Sequence, residues 1–188
     1  MIKNIELRQL SPENGRAEYN MLQEIGSNEN GFTNEVYGMA FEDYKKWLIQ
    51  EDDYSKSRTL PKNFIPQTSY FLYVDNLPIG IARIRHHSAD FLERRGVGNF
   101  GYGIAKSYRR KGYGNILLVH IIDKCKSLGY SKTKSFVNID NIASNKVFIN
   151  NGAVLLGVFK GVKNIYEITL ENRYEISLWG IYQTTLCC

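Results

Sequence analysis

The densest concentration of chemistry-bearing residues lies at positions 109–114, Arg109-Arg110-Lys111-Gly112-Tyr113-Gly114, between a strand-like run and a helical one. Gly112 and Gly114 lack a Cβ, so the backbone there can take unusual dihedrals and approach a ligand closely. The first amides of the helix that follows have no internal partner. With the helix dipole they form a phosphate site, and the three cationic side chains beside it suit a diphosphate. The loop is not a Walker A motif, because Lys111 precedes Gly112 and no Lys-Ser/Thr pair follows Gly114. Nor is it the dinucleotide fingerprint, which needs a third spaced glycine and an acidic residue about 20 residues on. By itself the loop fits equally well a turn kept for packing.

These residues need elements to hold them. Alternation over residues 2–8 predicts a first strand. Ser11-Pro12 predicts a helix start, with Ser as N-cap and Pro at the first helical position, and a helix through Tyr19, Leu22 and Ile25. Residues 26–38 are polar and Gly/Asn-rich and predict a loop. A second helix is expected over 41–51, then a long connection over 52–68. Strands are expected at 69–74 and 78–86 around an Asp75-Asn76 turn, followed by a short helix or loop at 88–96 and a Gly/aromatic strand at 98–104. Ile116, Leu117, Ile121, Cys125 and Leu128 mark the buried stripe of a helix over 113–128, with Gly129 as its C-cap. A strand at 133–138, a helix at 142–150 and strands at 153–159 and 165–179 complete the pattern. The order predicts an α/β chain with one central mixed, mostly antiparallel sheet and helices on both faces. Its length of 188 residues suits a single domain over 1–188, with a motif core at about 69–160.

The loop at 109–114 and its setting resemble the GNAT superfamily of acetyltransferases, whose signature Arg/Gln-x-x-Gly-x-Gly/Ala joins a central strand to a long helix. The order of elements also resembles the family's over most of the chain. So does a second segment, Asn141-Ile-Ala-Ser144 opening a helix that ends at Gly152-Ala153. The resemblance implies acetyl-CoA as co-substrate and no metal. It places the pyrophosphate on the amides of Arg109, Arg110, Lys111, Gly112, Tyr113 and Gly114, with Asn115 at the helix start. It places the pantetheine arm along Tyr102, Ile104 and Ala105, where an amide near Ile104 would face the thioester oxygen. Asn141 would bond the pantetheine, with Ser144 nearby, and helix capping is an equal account of Asn141. Lys146 suits either a ribose phosphate or solvent.

The chemistry implied is attack of an amine on a thioester with loss of a thiolate, which a base helps at the start and an acid at the end. The sequence departs from the family at both. Phe148 stands where many members carry a Tyr as acid, and residues 99–104 hold no carboxylate to direct a base water. His86, which titrates near neutrality as a type, and Tyr102 are the catalytic candidates. Glu29 and Glu35, in the loop expected to border the acceptor, are candidates for binding a cationic amine.

Composition narrows the classes. Hydrophobic residues are 43% and charged residues 23%, which excludes a disordered chain. Lys and Arg outnumber Asp and Glu by 24 to 19, a net +5 without a continuous basic tract, so no nucleic acid is expected. No apolar run approaches a bilayer span and no secretory leader is evident, so no membrane is expected and the location expected is cytoplasmic. Cys125 reads as core, and Cys187 and Cys188 have no metal-ligand spacing. The expected function is direct acetyl transfer to a primary amine of a small molecule or peptide, without a covalent enzyme intermediate. The alternative is a non-catalytic acyl-CoA-binding module. A C-terminal hairpin with Trp179 and Tyr182 could support a homodimer.

Overall fold

The computed structural model describes residues 3–58 and 60–170. In it the chain runs β1 (Ile5–Gln9), α1 (Arg16–Gln23), β2 (Asn28–Glu29), β3 (Phe32–Thr33), α2 (Phe41–Ser55), β4 (Gln67–Val74), β5 (Leu77–Arg85), α3 (Ala89–Arg94), β6 (Phe100–Ile104), α4 (Tyr113–Ser127), β7 (Lys132–Asn138), α5 (Ile142–Asn150), β8 (Val154–Phe159) and β9 (Lys163–Thr169). One 3-10 turn, Lys106–Tyr108, lies between β6 and α4.

The strands form an antiparallel sheet in the order β1-β4-β5-β6, a second in the order β7-β9-β8, and the small β2-β3 hairpin. The mixed α/β class expected from the sequence is present, but the single sheet is parted, since β6 and β7 share no ladder. They are joined only at their base. The Asn99 amide donates to the Lys134 carbonyl and the Lys134 amide donates to Asn99 Oδ1, both at 2.8 Å. Gly98 permits this contact: a Cβ there would lie 2.7 Å from the Lys134 oxygen and from Ser135 Cα. Above Asn99 the strands diverge, and the space between them becomes the site.

Period-2 alternation sends each strand's side chains to two faces. On one face, Phe71, Tyr73 and Ile81 pack under Leu22 of α1 and Tyr44 and Leu48 of α2. On the other, Leu72, Ala82 and Ile84 pack under Leu117, Leu118 and Ile121 of α4. Each fully buried leucine or isoleucine contributes about 1.5–3 kcal/mol relative to exposure. The two clusters hold β6 rigidly from both sides, which fixes one wall of the cleft.

Several boundaries differ from those expected. Helix α1 starts at Arg16, not beside Pro12, because the Gly15 amide is capped by Glu18 Oε2 at 2.8 Å. Ser11 instead closes a turn onto Asn14. Helix α2 continues to Ser55, so the connection before β4 is shorter. The expected loop at 26–38 contains the β2-β3 hairpin. Of the last strand expected, β9 is the part described; Trp179, Tyr182, Cys187 and Cys188 lie outside the described residues. No helix among the described residues is long and apolar enough to cross a membrane.

Candidate active site

Between β6 and β7 lies a cavity of about 630 Å3, walled also by α5, the β2-β3 hairpin and the start of α4. Its end beside α4 is made from backbone. Gly112 is the N-cap of α4 at φ 80°, a left-handed conformation costly for any residue with a Cβ. Arg110, at φ 59°, takes the same region two residues earlier. The amides of Asn115 and Ile116 both donate to the Gly112 carbonyl, at 3.0 and 3.4 Å, leaving those of Tyr113 and Gly114 without an intrahelical acceptor. Arg109, Arg110, Gly112, Gly114 and Asn115 line the cavity. Lys111 and Tyr113 do not: the Lys111 ammonium donates to the Ser107 carbonyl at 2.8 Å, and Tyr113 is buried with its hydroxyl accepting from Lys3. Ala105 is fully buried and its amide donates to the Ile79 carbonyl, whereas Ile104 lines the cavity.

The Arg109 side chain is engaged within the protein. Its Nε donates to the Ile104 carbonyl at 2.8 Å, and its two Nη atoms grip both oxygens of Glu29, one at 2.9 Å. This bidentate bond, then partial burial acting the other way, leaves the Glu29 carboxyl lowered to about 2. The Gly26 amide also donates to Glu29. The β2-β3 hairpin is thereby clamped to the loop 80 residues away. Its Asn30-Gly31 turn touches Asn138 at the end of β7, and Phe32 lies on Gly101 and Gly103 of β6, where a Cβ would come within 3.5 Å of the ring. Glu35 is elsewhere, accepting from Trp47 Nε1 at 3.2 Å and outside the cavity lining.

On the α5 side, Asn141 caps the helix: its Oδ1 accepts from the Ser144 amide at 3.1 Å, and the residue lines the cavity. Tyr102 reaches across from β6, its hydroxyl 3.1 Å from Ser144 Oγ. Burial pushes the Tyr102 phenol up to about 12, so at neutral pH it is a proton donor and not a base. Phe148 lies beneath, stacked on Phe100 and Tyr166 with ring centroids 5.8 and 5.2 Å away. The hydroxyls of Tyr102 and Ser144 therefore lie over an aromatic floor at Phe148.

His86 is not brought to the cavity. Its Nε2 lies 2.7 Å from Thr68 Oγ1, and burial lowers its pKa. Cys125 is fully buried and raised to about 12, so it is no nucleophile. Among the described residues no group of His, Cys, Asp and Glu could hold a metal.

No local pattern marks three residues that shape the site. Asn99 joins the strands at the apex, and its only local signal is the preceding glycine. Phe32 lies in a segment too short and polar to flag. Asn145 donates to the carbonyls of Asn138 and Asn141, and accepts from Asn164 and Tyr166, locking the turn that carries Asn141. All three act through partners distant in sequence.

Comparison with known proteins places this geometry. The profile of the acetyltransferase (GNAT) family matches residues 33–152. No curated protein sequence matches the chain. Similar solved structures include RimJ of Mycobacterium smegmatis with a CoA disulfide, at 14% identity and TM-score 0.70 over 96% of this chain and 88% of that one. Another is the acetyl transfer enzyme of Salmonella typhimurium that modifies the N-terminal serine of ribosomal protein L7/L12, at 16% identity and TM-score 0.63 over 88% and 94%. A third is the microcin C7 self-immunity acetyltransferase MccE with acetyl-CoA and AMP, at 15% and 0.65 over 88% and 92%. At these identities the likeness is one of fold.

Proposed function

The chain belongs to the GNAT acetyltransferase family, and from that premise we propose that it moves an acetyl group from acetyl-CoA directly to a primary amine of a small molecule or peptide. The observation that carries this is the open α4 N-terminus at one end of a cleft whose other end holds a paired hydroxyl donor. A pyrophosphate fits the first: the Tyr113 and Gly114 amides are unengaged, and Arg110 has no ion-pair partner among the described residues. Tyr102, Ile104 and Asn141 line the path between the two ends. RimJ and MccE, which share the fold, were solved with CoA and acetyl-CoA.

When bound, the co-substrate supplies an activated acetyl group as a thioester. The chain's residues do the rest. The cleft holds two reactants in line, which alone can account for several powers of ten in rate. Amides of β6 face developing negative charge on the carbonyl oxygen. The Tyr102 and Ser144 hydroxyls supply a proton to the leaving sulfur, taking the place of the phenol that Phe148 cannot provide. No cysteine lies among the described residues of the cavity lining, which favours direct transfer. We read residues 1–188 as one domain acting in the cytoplasm, without nucleic acid. A homodimer remains a proposal resting on residues outside those described.

Phe148 favours one rival, a module that binds acyl-CoA without turnover. Calorimetric titration of acetyl-CoA, followed by thiol release with a panel of primary amines, separates the two. Binding with turnover supports the enzyme. Binding without turnover of any amine supports the module, and no binding by folded protein sinks both.

A further inference from the structure

The described chain ends in a segment that the sequence writes twice. Tyr166-Glu167-Ile168-Thr169-Leu170, at the end of β9, returns eight residues later as Tyr174-Glu175-Ile176-Ser177-Leu178. Four of the five residues are identical, and the remaining one exchanges one hydroxyl side chain for another. The offset is even. Every side chain of the second copy therefore falls on the same face of a strand as its counterpart in the first.

The first copy fills a demanding place, the slot between β7 and β8. Tyr166, Ile168 and Leu170 are buried in the core shared with α4 and Phe148. The Tyr166 hydroxyl donates to Asn145 Oδ1 at 3.0 Å, and its ring stacks on Phe148 with centroids 5.2 Å apart. Glu167 pairs with Lys132 of β7 at 3.6 Å. The Leu170 amide donates to the Ser131 carbonyl at 2.8 Å. These contacts follow from residue type and alternation, and the second copy has the same types in the same order.

The outer neighbour does little to fix the choice. Val154, Leu155, Leu156 and Val158 of β8 are exposed, and the far edge of β8 has no partner among the described residues. A strand that buries so little is displaced at low cost. Three residues, Glu171-Asn172-Arg173, separate the two copies, which is the length of a hairpin loop. Two arrangements that bury the same side chains against β7 differ by little free energy, and that is the condition for both to be populated.

We propose that the slot beside β7 accepts either segment of this chain. Residues 174–178 enter in place of residues 166–170, which then move one place outward and pair with them across the turn at 171–173. In both arrangements a tyrosine bonds Asn145 and stacks on Phe148, so the floor of the cleft is kept. The exchange does not depend on whether the chain turns over an amine.

The test uses the full chain in urea unfolding followed by circular dichroism. Tyr166→Ala and Tyr174→Ala should each lower the midpoint by less than about 0.3 M, because the intact copy takes the slot, and the two together by more than about 1 M. Tyr166→Ala alone as costly as the pair leaves β9 as the sole occupant and overturns the proposal. Tyr174→Ala alone as costly as the pair overturns it from the other side. Costs that merely add place the two segments in separate environments, which also overturns it. A disulfide reading requires no loss of stability. It starts from Lys132, whose partner across the β7-β9 ladder is Thr169. In a Cys187→Ser, Cys188→Ser background, Lys132→Cys is combined either with Thr169→Cys or with Ser177→Cys, and mild oxidation is read by mass spectrometry. Both pairs should close within one chain. Closure of only one of the two pairs, or of the Ser177→Cys pair only between two chains, overturns the exchange.

Discussion

Two walls of the cleft are built from different material. At the α4 end the ligand-facing groups are backbone amides, fixed by one left-handed glycine and a helix start. Along the hairpin wall they are side chains, Phe32 and Glu29, held in place by partners on β6 and by Arg109. A backbone site depends on local conformation and tolerates most changes that leave the turn intact. A side-chain wall depends on contacts between segments far apart in sequence, so it can change while the backbone of the turn stays as it is. The difference suits an enzyme family with one donor and many acceptors.

That contrast can be broken hardest at the backbone end. Replacing Gly112 and Gly114 together by Asp puts two carboxylates at an anion site and forces a Cβ into a left-handed position, where the cost is about 1–2 kcal/mol. At position 114 the new Cβ would also meet Val147 at 3.3 Å. Acetyl-CoA affinity should fall by more than about 100-fold by calorimetry, about 2.7 kcal/mol, in protein whose circular dichroism is unchanged. Retained affinity would mean the loop is a packing turn.

Next in size is Tyr102→Phe, which removes the proposed proton donor. Its kcat should fall about 100-fold, the lower range for a lost general acid, with a smaller change in KM. An unaltered kcat would leave thiolate protonation to water. Phe148→Tyr tests the same region from beneath. The ring is 2% exposed and stacked on both sides, so the added hydroxyl would be buried. The expected loss is about 1–3 kcal/mol in urea unfolding, the cost of an unsatisfied polar group, with no gain in rate. A rise in kcat would show that the floor of the cleft can serve as the acid site after all.

The smallest effect belongs to the hairpin clamp. The Glu29 carboxyl is depressed in the folded chain from an ordinary value of 4.5 to about 2. Its contribution to stability is therefore present above about pH 4.5 and lost as pH falls towards 2. The pair is partly exposed, at 33% and 25% for its two side chains, so solvent screening reduces that contribution to about 1 kcal/mol or less. Between pH 5 and pH 2 the parent should lose more stability than Glu29→Gln, measured as the difference in unfolding midpoints. Parallel curves would show that the bond to Arg109 contributes nothing to holding the hairpin.

Local pattern made much of α4 and α5 legible. The helix expected at 142–150 matches α5, and that expected at 113–128 matches α4 to within a residue. Their apolar spacing and terminal glycines are local signals, and the phosphate loop lies where one of them begins. The first helix was displaced because Ser11-Pro12 carries a stronger start signal than Gly15, whose cap depends on Glu18. The hairpin wall was hidden. Strands of two residues, such as β2 and β3, show no periodicity, and a residue like Phe32 is indistinguishable from any other aromatic until β6 lies beneath it. His86 shows the opposite error: position at a strand end suggested the cleft, and the fold turned the ring to Thr68.

By itself the sequence determined the strand-to-helix turn at 109–114, the opening of α5 at Asn141 and the absence of a phenol at position 148, because each is written in residues adjacent along the chain. The tertiary structure alone decided that the sheet parts at Asn99, that Arg109 pairs with Glu29, and that Tyr102 meets Ser144. Those outcomes rest on pairings across 35, 80 and 42 residues, and such distant partners are chosen only when the two hydrophobic cores close around β6.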